Sequence, residues 1–233
     1  MSDTDRLLDS LFSALDWSRL GAIYCDEGGD AFWAARRRSV LKLGRAWGRA
    51  LAGRLTRGGT SLYVGAGVAE LPAMLIETRE LGRRVVASNL RAEECAVLDA
   101  GLRAVEVLPE ELSILPVDAR TLLGRGPFDH LAVVSALTDP ETWPVVSAVT
   151  YGRMPPVLLD LTGFAAEREA ILALTSSLCA ALTLPAWITT TGDETPWFVH
   201  VARARGLELQ PDDEMIETAV VGDPIGFLRV ANA

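Results

Sequence analysis

The stretch Thr60-Ser-Leu-Tyr-Val-Gly-Ala-Gly-Val-Ala-Glu-Leu-Pro-Ala-Met-Leu-Ile76 constrains the fold more than any other part of the chain. Ser61–Val64 predicts a buried strand, Gly65-Ala66-Gly67 a tight turn, and the residues from Val68 to Leu81 a helix. Gly65 and Gly67 admit positive φ and allow a ligand close to the backbone, as a Cβ would not. Unbonded N–H groups at the start of the helix would point at whatever lies over the turn. A strand, a glycine turn and a helix in this order suit a nucleotide-cofactor site, with a plain βα turn that holds no ligand as the alternative.

The rest of the chain narrows the choice. Strand Arg84–Ser88 precedes a helix over Ala92–Ala100, and strand Leu112–Val117 a short helical turn after Asp118. Strand His130–Val134 leads to a loop or short helix over Asp139–Val149, and strand Val157–Leu161 to a helix over Ala165–Leu182. This βαβα order predicts a doubly wound, mostly parallel sheet covered by helices on both faces. Pro185–Thr191 reads as a further extended segment and Trp197–Arg205 as a helix. Two apolar runs around Gly222-Asp-Pro224, within Glu217–Val230, read as a C-terminal antiparallel hairpin.

Ahead of the sheet, Leu7, Leu8, Leu11, Phe12 and Leu15 form one stripe of an amphipathic helix over residues 4–15. A loop with Trp17, Tyr24 and Cys25 follows, then a long helix from Asp30, its cap, to about Leu55, with Phe32, Val40, Leu43, Trp47 and Leu51 on its apolar side. The expected division is an N-terminal helical extension or cap over residues 1–57 and a sheet domain over residues 58–233.

With 233 residues, 49% of them hydrophobic, the chain can bury a sizeable core. No run of about eighteen apolar residues predicts a membrane span. Its first residues, Met-Ser-Asp-Thr-Asp-Arg, are polar and acidic, unlike a secretory signal. Cys25, Cys95 and Cys179 are far apart and have no metal spacing, and His130 and His200 stand alone, so reduced thiols, no metal and a cytoplasmic location are expected. The net charge of −9 disfavours general nucleic-acid binding. It is uneven, however: between Asp30 and Glu70 there is no acid, whereas Leu207–Gly226 carries only acids. Arg38, Lys42, Arg45 and Arg49 recur at helical spacing, as a solvated face or a binding stripe.

The glycine turn, the alternating strands and the terminal hairpin together resemble the class I S-adenosylmethionine-dependent methyltransferases, over roughly Gly58–Ala233. The resemblance implies a seven-stranded sheet ending in an antiparallel hairpin. It also implies S-adenosylmethionine or S-adenosylhomocysteine at the carboxyl edge, with the methionine part against the glycine turn. The family motif, acid-x-Gly-x-Gly-x-Gly, stands here as Tyr63-Val-Gly65-Ala66-Gly67-Val-Ala69, with Tyr63 in place of the acid. At the end of strand two, where the family has an acid for the ribose hydroxyls, stands Asn89, followed by Leu90; an amide can accept such a bond, or Asn89 can cap the following turn. After strand three, Asp118 and Ala119 match the family's adenine-binding turn, though Asp118 also suits a helix cap. Ser135, Thr138 and Asp139, after strand four, would lie near the reaction centre, with Asp139 and Tyr24 as weak catalytic candidates.

Methyl transfer from a sulfonium rests mainly on proximity and orientation, so no catalytic constellation is required. The nucleobase-methylating signatures are missing after strand four, which favours a small-molecule or protein acceptor. The aromatics Trp17, Tyr24 and Trp33 would line an acceptor pocket or sit in the core. A homodimer is compatible with the sequence. Rival readings are an aminopropyl-type transferase, given Asp139-Pro140, a catalytically degenerate binding or scaffold protein, given Tyr63 and Asn89, and an NAD(P)-dependent oxidoreductase, disfavoured by Glu70 where the dinucleotide fingerprint takes Gly or Ala.

Overall fold

The computed structural model describes residues 2–23, 29–155, 158–218, 220 and 223–233. Tyr24, Cys25, Pro156, Val157 and Gly222 lie outside the described residues, as do the side chains of Asp30, Phe32 and Trp33.

Seven strands, β1 (Thr60–Val64), β2 (Arg84–Ser88), β3 (Ile114–Leu115), β4 (Phe128–Val133), β5 (Leu182–Thr191), β6 (Leu207–Ile216) and β7 (Ile225–Asn232), form one sheet in the order β3-β2-β1-β4-β5-β7-β6. The first five run parallel to their neighbours, and β7 is antiparallel to both β5 and β6. This is the doubly wound sheet with a closing hairpin that the alternation predicts.

Side chains alternate between two cores, as the two-residue period of a strand requires. Tyr63, Val85, Ala87, Ala132 and Phe227 face α4 (Leu71–Leu81) and α5 (Ala92–Ala104). Leu62, Val86, Leu131, Val133 and Ile188 face the other side, with α6 (Pro144–Thr150), α7 (Leu161–Ala180), α8 (Thr195–Ala204) and a short 3₁₀ helix, Ala119–Arg125. The N-terminal helices α1 (Asp3–Ala14), α2 (Trp17–Ile23) and α3 (Gly29–Ala52) share the first core. Leu8, Leu11 and Phe12 of α1 and Trp47 of α3 are buried there. Ser2 starts α1 through a capping box with Asp5.

Several boundaries differ from expectation: α3 begins at Gly29, so Asp30 lies inside it rather than capping it, β3 is only Ile114–Leu115, and α7 begins at Leu161. Trp17 lies in a short helix rather than a loop, donates to the Phe12 carbonyl at 2.9 Å and packs on the Phe12 ring, so it is core. Helix α4 starts at Leu71, because Val68–Glu70 continue the turn; Pro72 falls in its first turn, where no N–H is needed. The apolar run ending at Leu161 is not a strand: Leu158 and Leu161 are exposed, and the Asp160 carboxylate caps α7 by accepting from the N–H groups of Thr162 and Gly163. The fifth strand is β5, beginning before Pro185. Finally, the first arm of the hairpin is β6, ten residues ahead of the expected run.

Candidate functional site

The carboxyl ends of β1, β2 and β4 meet at the point where the strand order reverses, the usual ligand crevice of an open α/β sheet. The turn after β1 carries Gly65 at φ 71° and is solvent-exposed there. A Cβ on Gly65 would lie 3.0 Å from the Ala136 Cβ, so the loops after β1 and β4 approach closely.

The next glycine is closed from inside. The Gly67 N–H donates to Glu70 Oε2 at 2.8 Å, and a Cβ on Gly67 would lie 2.9 Å from Glu94 Oε1. Both acids are buried, Glu70 in the turn and Glu94 in the first turn of α5. Burial pushes the Glu70 carboxyl up to about 7, against the Gly67 hydrogen bond, with the Glu94 and Glu194 charges adding to the rise.

Asn89 is tied into the same arrangement. Its Nδ2 donates to the Ala66 carbonyl and to Glu94 Oε2, each at 3.0 Å, and its Oδ1 accepts from the Arg91 N–H at 2.9 Å. Of the two roles open to it, the structure shows the turn cap. Leu90 beside it is 61% exposed. Asp118 likewise caps the 3₁₀ helix through the Arg120 N–H, and both its oxygens accept from the Arg120 guanidinium, whose bonds hold the carboxyl below the usual range. Ala119 is buried behind it.

Tyr63, placed by resemblance at the cofactor, points elsewhere. Its ring is fully buried beneath α3 and α4, and its hydroxyl donates to Glu77 Oε1 at 2.6 Å. The reason is the strand period: residue 63 shares the face of Ser61, which belongs to the first core.

After β4, Ser135 takes φ 57°, a conformation that costs a non-glycine residue energy. It is held by Glu194, at the start of α8, whose carboxylate accepts from the Ser135 N–H at 2.9 Å and the Leu137 N–H at 2.6 Å. Burial raises Glu194 to about 7, although these bonds pull it down. Ser135 Oγ is buried without a hydrogen-bond partner among the described residues. Thr138 accepts from the Tyr151 hydroxyl at 3.1 Å. Asp139 pairs with Arg91 at 3.0 Å and accepts from the Thr142 hydroxyl, which leaves it engaged rather than poised as a base. Arg91 also pairs with Glu141 at 3.0 Å. Because β2 and β4 flank β1, these two bonds join the loops on either side of the glycine turn.

Judged by this donor set, a sulfonium nucleotide fits in one half only. The nucleoside half finds Gly65, Leu90 and the Asp118 turn at the surface. The amino-acid half would meet Glu70 on the Gly67 N–H and the Glu94 carboxylate beside Gly67. Sequence reasoning reached the glycines, Asn89, Asp118 and Ser135 but missed Glu94, Glu194 and Arg91. Only Glu70 left a local sign, an acid three residues after the glycine whose N–H it takes. Buried Cys95 and Cys179 have thiols pushed up to about 11, chiefly by burial, so neither is a ready nucleophile. Among the described residues no group of His, Cys, Asp and Glu could hold a metal ion, and no helix is long and apolar enough to cross a membrane.

No protein-family profile and no curated protein sequence matches the chain. Solved structures do match. A precorrin-6y C5,15-methyltransferase from Geobacter metallireducens GS-15 superposes with a TM-score of 0.51 at 11% identity, over 83% of this chain and 88% of that one. TrmN from Thermus thermophilus gives 0.50 at 18% identity over 80% of this chain, which spans 48%, about half, of TrmN. A protein described as an rRNA-methylase from Clostridium thermocellum gives 0.50 at 10% identity, over 80% and 94%. Sheet order, terminal hairpin and these superpositions agree: the chain has the fold of the class I S-adenosylmethionine-dependent methyltransferases.

Proposed function

We propose that the protein is an S-adenosylmethionine-dependent methyltransferase acting on a small-molecule or protein acceptor. One observation carries the reading: the positive-φ turn at Gly65 opens to solvent at the switch point of the sheet, beside exposed Leu90 and the Asp118 turn. The acceptor class is argued from charge. Asp139, Glu141, Asp193 and Asp223 line the loops after β4 and β5 and the start of β7, and would repel a polyanion. Among the superposed structures, one is named as an rRNA-methylase and the precorrin enzyme is named for a small molecule. A cytoplasmic setting goes with this reading, supported by the free, buried thiols of Cys95 and Cys179.

A second reading, a binding or scaffold protein that has lost turnover, is favoured by the internal bonding of Asn89, Glu70 and Glu94. Calorimetric titration with S-adenosylhomocysteine, S-adenosylmethionine and NAD(P) separates the two. Binding of the sulfonium nucleotide and its thioether product supports the methyltransferase. Binding of neither supports the scaffold, and binding of NAD(P) alone would refute both. Asp118→Ala is expected to weaken S-adenosylhomocysteine by about tenfold, the value of one hydrogen bond to a charged group; an unchanged affinity would remove Asp118 from the adenine subsite.

A further inference from the structure

We propose that the crevice is held shut by the chain itself: Glu94 fills the space beside Gly67, Glu70 takes the Gly67 N–H, and Arg91, bonded to Asp139 and Glu141, bars the mouth. The inference rests on the methyltransferase reading and adds a closed form to it.

The closing groups converge from four places in the chain: the β1–α4 turn, the start of α5, the loop after β2 and the loop after β4. Each takes a group that a ligand at this edge would need. Glu70 occupies a backbone donor, Glu94 holds the Asn89 side-chain amide at 3.0 Å, and the Arg91 N–H occupies Asn89 Oδ1. The bonded network and a bound nucleotide therefore exclude one another. A ligand that needs the open form binds with an affinity lowered by the fraction of molecules that are open.

The bar is the weaker part. The Arg91 side chain is 24% exposed and its partner Glu141 is 65% exposed, and ion pairs of that kind contribute little. Glu94 is wholly buried, but it sits in the first turn of α5 beside exposed Glu93, so a rotation about its side-chain bonds carries the carboxylate toward water. That rotation clears the space beside Gly67 and releases one bond of the Asn89 amide, while the Gly67 N–H stays with Glu70 until Glu70 also turns away.

The test is titration of S-adenosylhomocysteine into the wild-type protein, Glu94→Ala, Arg91→Ala and Glu93→Ala. Circular dichroism and thermal unfolding verify the fold of each. Glu94→Ala is expected to bind at least tenfold more tightly than wild type, and Arg91→Ala at least threefold. Glu93→Ala removes the same charge outside the crevice and is expected to leave affinity unchanged. Arg91→Ala, at a partly exposed position, keeps the test open if Glu94→Ala loses the fold. Equal affinity in all four proteins would overturn the closure while leaving the methyltransferase reading in place. No binding by any of them would overturn both.

Discussion

At the scale of single residues, the densest chemistry lies inside the first core rather than at the crevice. Glu77 of α4 accepts from the hydroxyls of Ser61 and Tyr63 and pairs with Arg83 at 3.0 Å. Arg83 continues to Asp129, and His130 places Nδ1 3.1 Å from Ser61 Oγ and Nε2 3.0 Å from Thr189 Oγ1. Burial alone would raise Glu77, but His130 and the two hydroxyls bring it below its ordinary value. The serine, histidine and acid imitate a nucleophile's triad, yet all three are fully buried, so their role is to satisfy one another. Glu77→Ala would leave the Arg83 guanidinium buried with only Asp129 as its acid. It is expected to cost about 3 kcal/mol, the lower end for breaking a buried ion pair, read as a fall in the denaturant midpoint. Tyr63→Phe is expected to cost about 1 kcal/mol. It should leave S-adenosylhomocysteine affinity unchanged, and a changed affinity would return Tyr63 to the cofactor site.

At the scale of elements, α4 and α8 both begin at a glutamate whose carboxylate folds back onto loop amides. Glu70 and Glu194 each titrate near 7 when folded, against an ordinary value of 4.5. Between those values the folded state holds more protons than the unfolded one, so these two groups lower stability as pH rises from about 4.5 to 7 and add nothing further above it. Asp129 and Asp118, whose values are depressed, act oppositely and withdraw stability only below about 3.8. The melting temperature is therefore expected to be higher at pH 5.5 than at pH 8 by several degrees, since 1 kcal/mol corresponds to about 2–4 °C at this size. Glu70→Gln with Glu194→Gln should flatten that slope; an unaltered slope would show that other groups set it. Elements were legible in the sequence where apolar period and turn chemistry agreed, as at β1 and β2. β5 was legible only from Pro185 on, because Pro185 lies at the register break between β4 and β5, where pairing passes from Phe128–Leu182 to His130–Trp187. The crevice acids escaped notice because they come from separate elements, and no spacing along a chain reports a meeting of that kind.

At the scale of the whole molecule, the uneven charge of the sequence resolves into internal ties. Arg54, from the acid-free stretch, pairs with Asp212 at 3.0 Å and Glu214 at 2.8 Å on β6, and its guanidinium lies 4.2 Å from the centre of the Phe227 ring. Arg45 bonds the Asp5 carbonyl and pairs with Asp9 at 2.9 Å, which fastens α1 to α3. Arg38, Lys42 and Arg49 line the same shallow groove of about 400 Å³ along α3. The first 57 residues were expected to form an extension or cap; their apolar faces are continuous with the sheet's first core. Deleting residues 1–57 would bare Pro72, Ala73 and Ile76, against which α3 lies, and Gly101, against which Leu11 and Leu15 lie, and the product is expected to aggregate or to lose its cooperative melting transition. A soluble, cooperatively melting 58–233 fragment would show the division to be real.

The outermost strand carries one further meaning. Along β6, Pro211 offers no N–H, Asp212, Asp213 and Glu214 follow it, and pairing with β7 shifts between Pro211 and Met215. The opposite border, β3, is two residues long. A neighbouring molecule thus finds no long flat ribbon of free amides and carbonyls to zip onto at either border, so growth of the sheet from one molecule into the next is disfavoured.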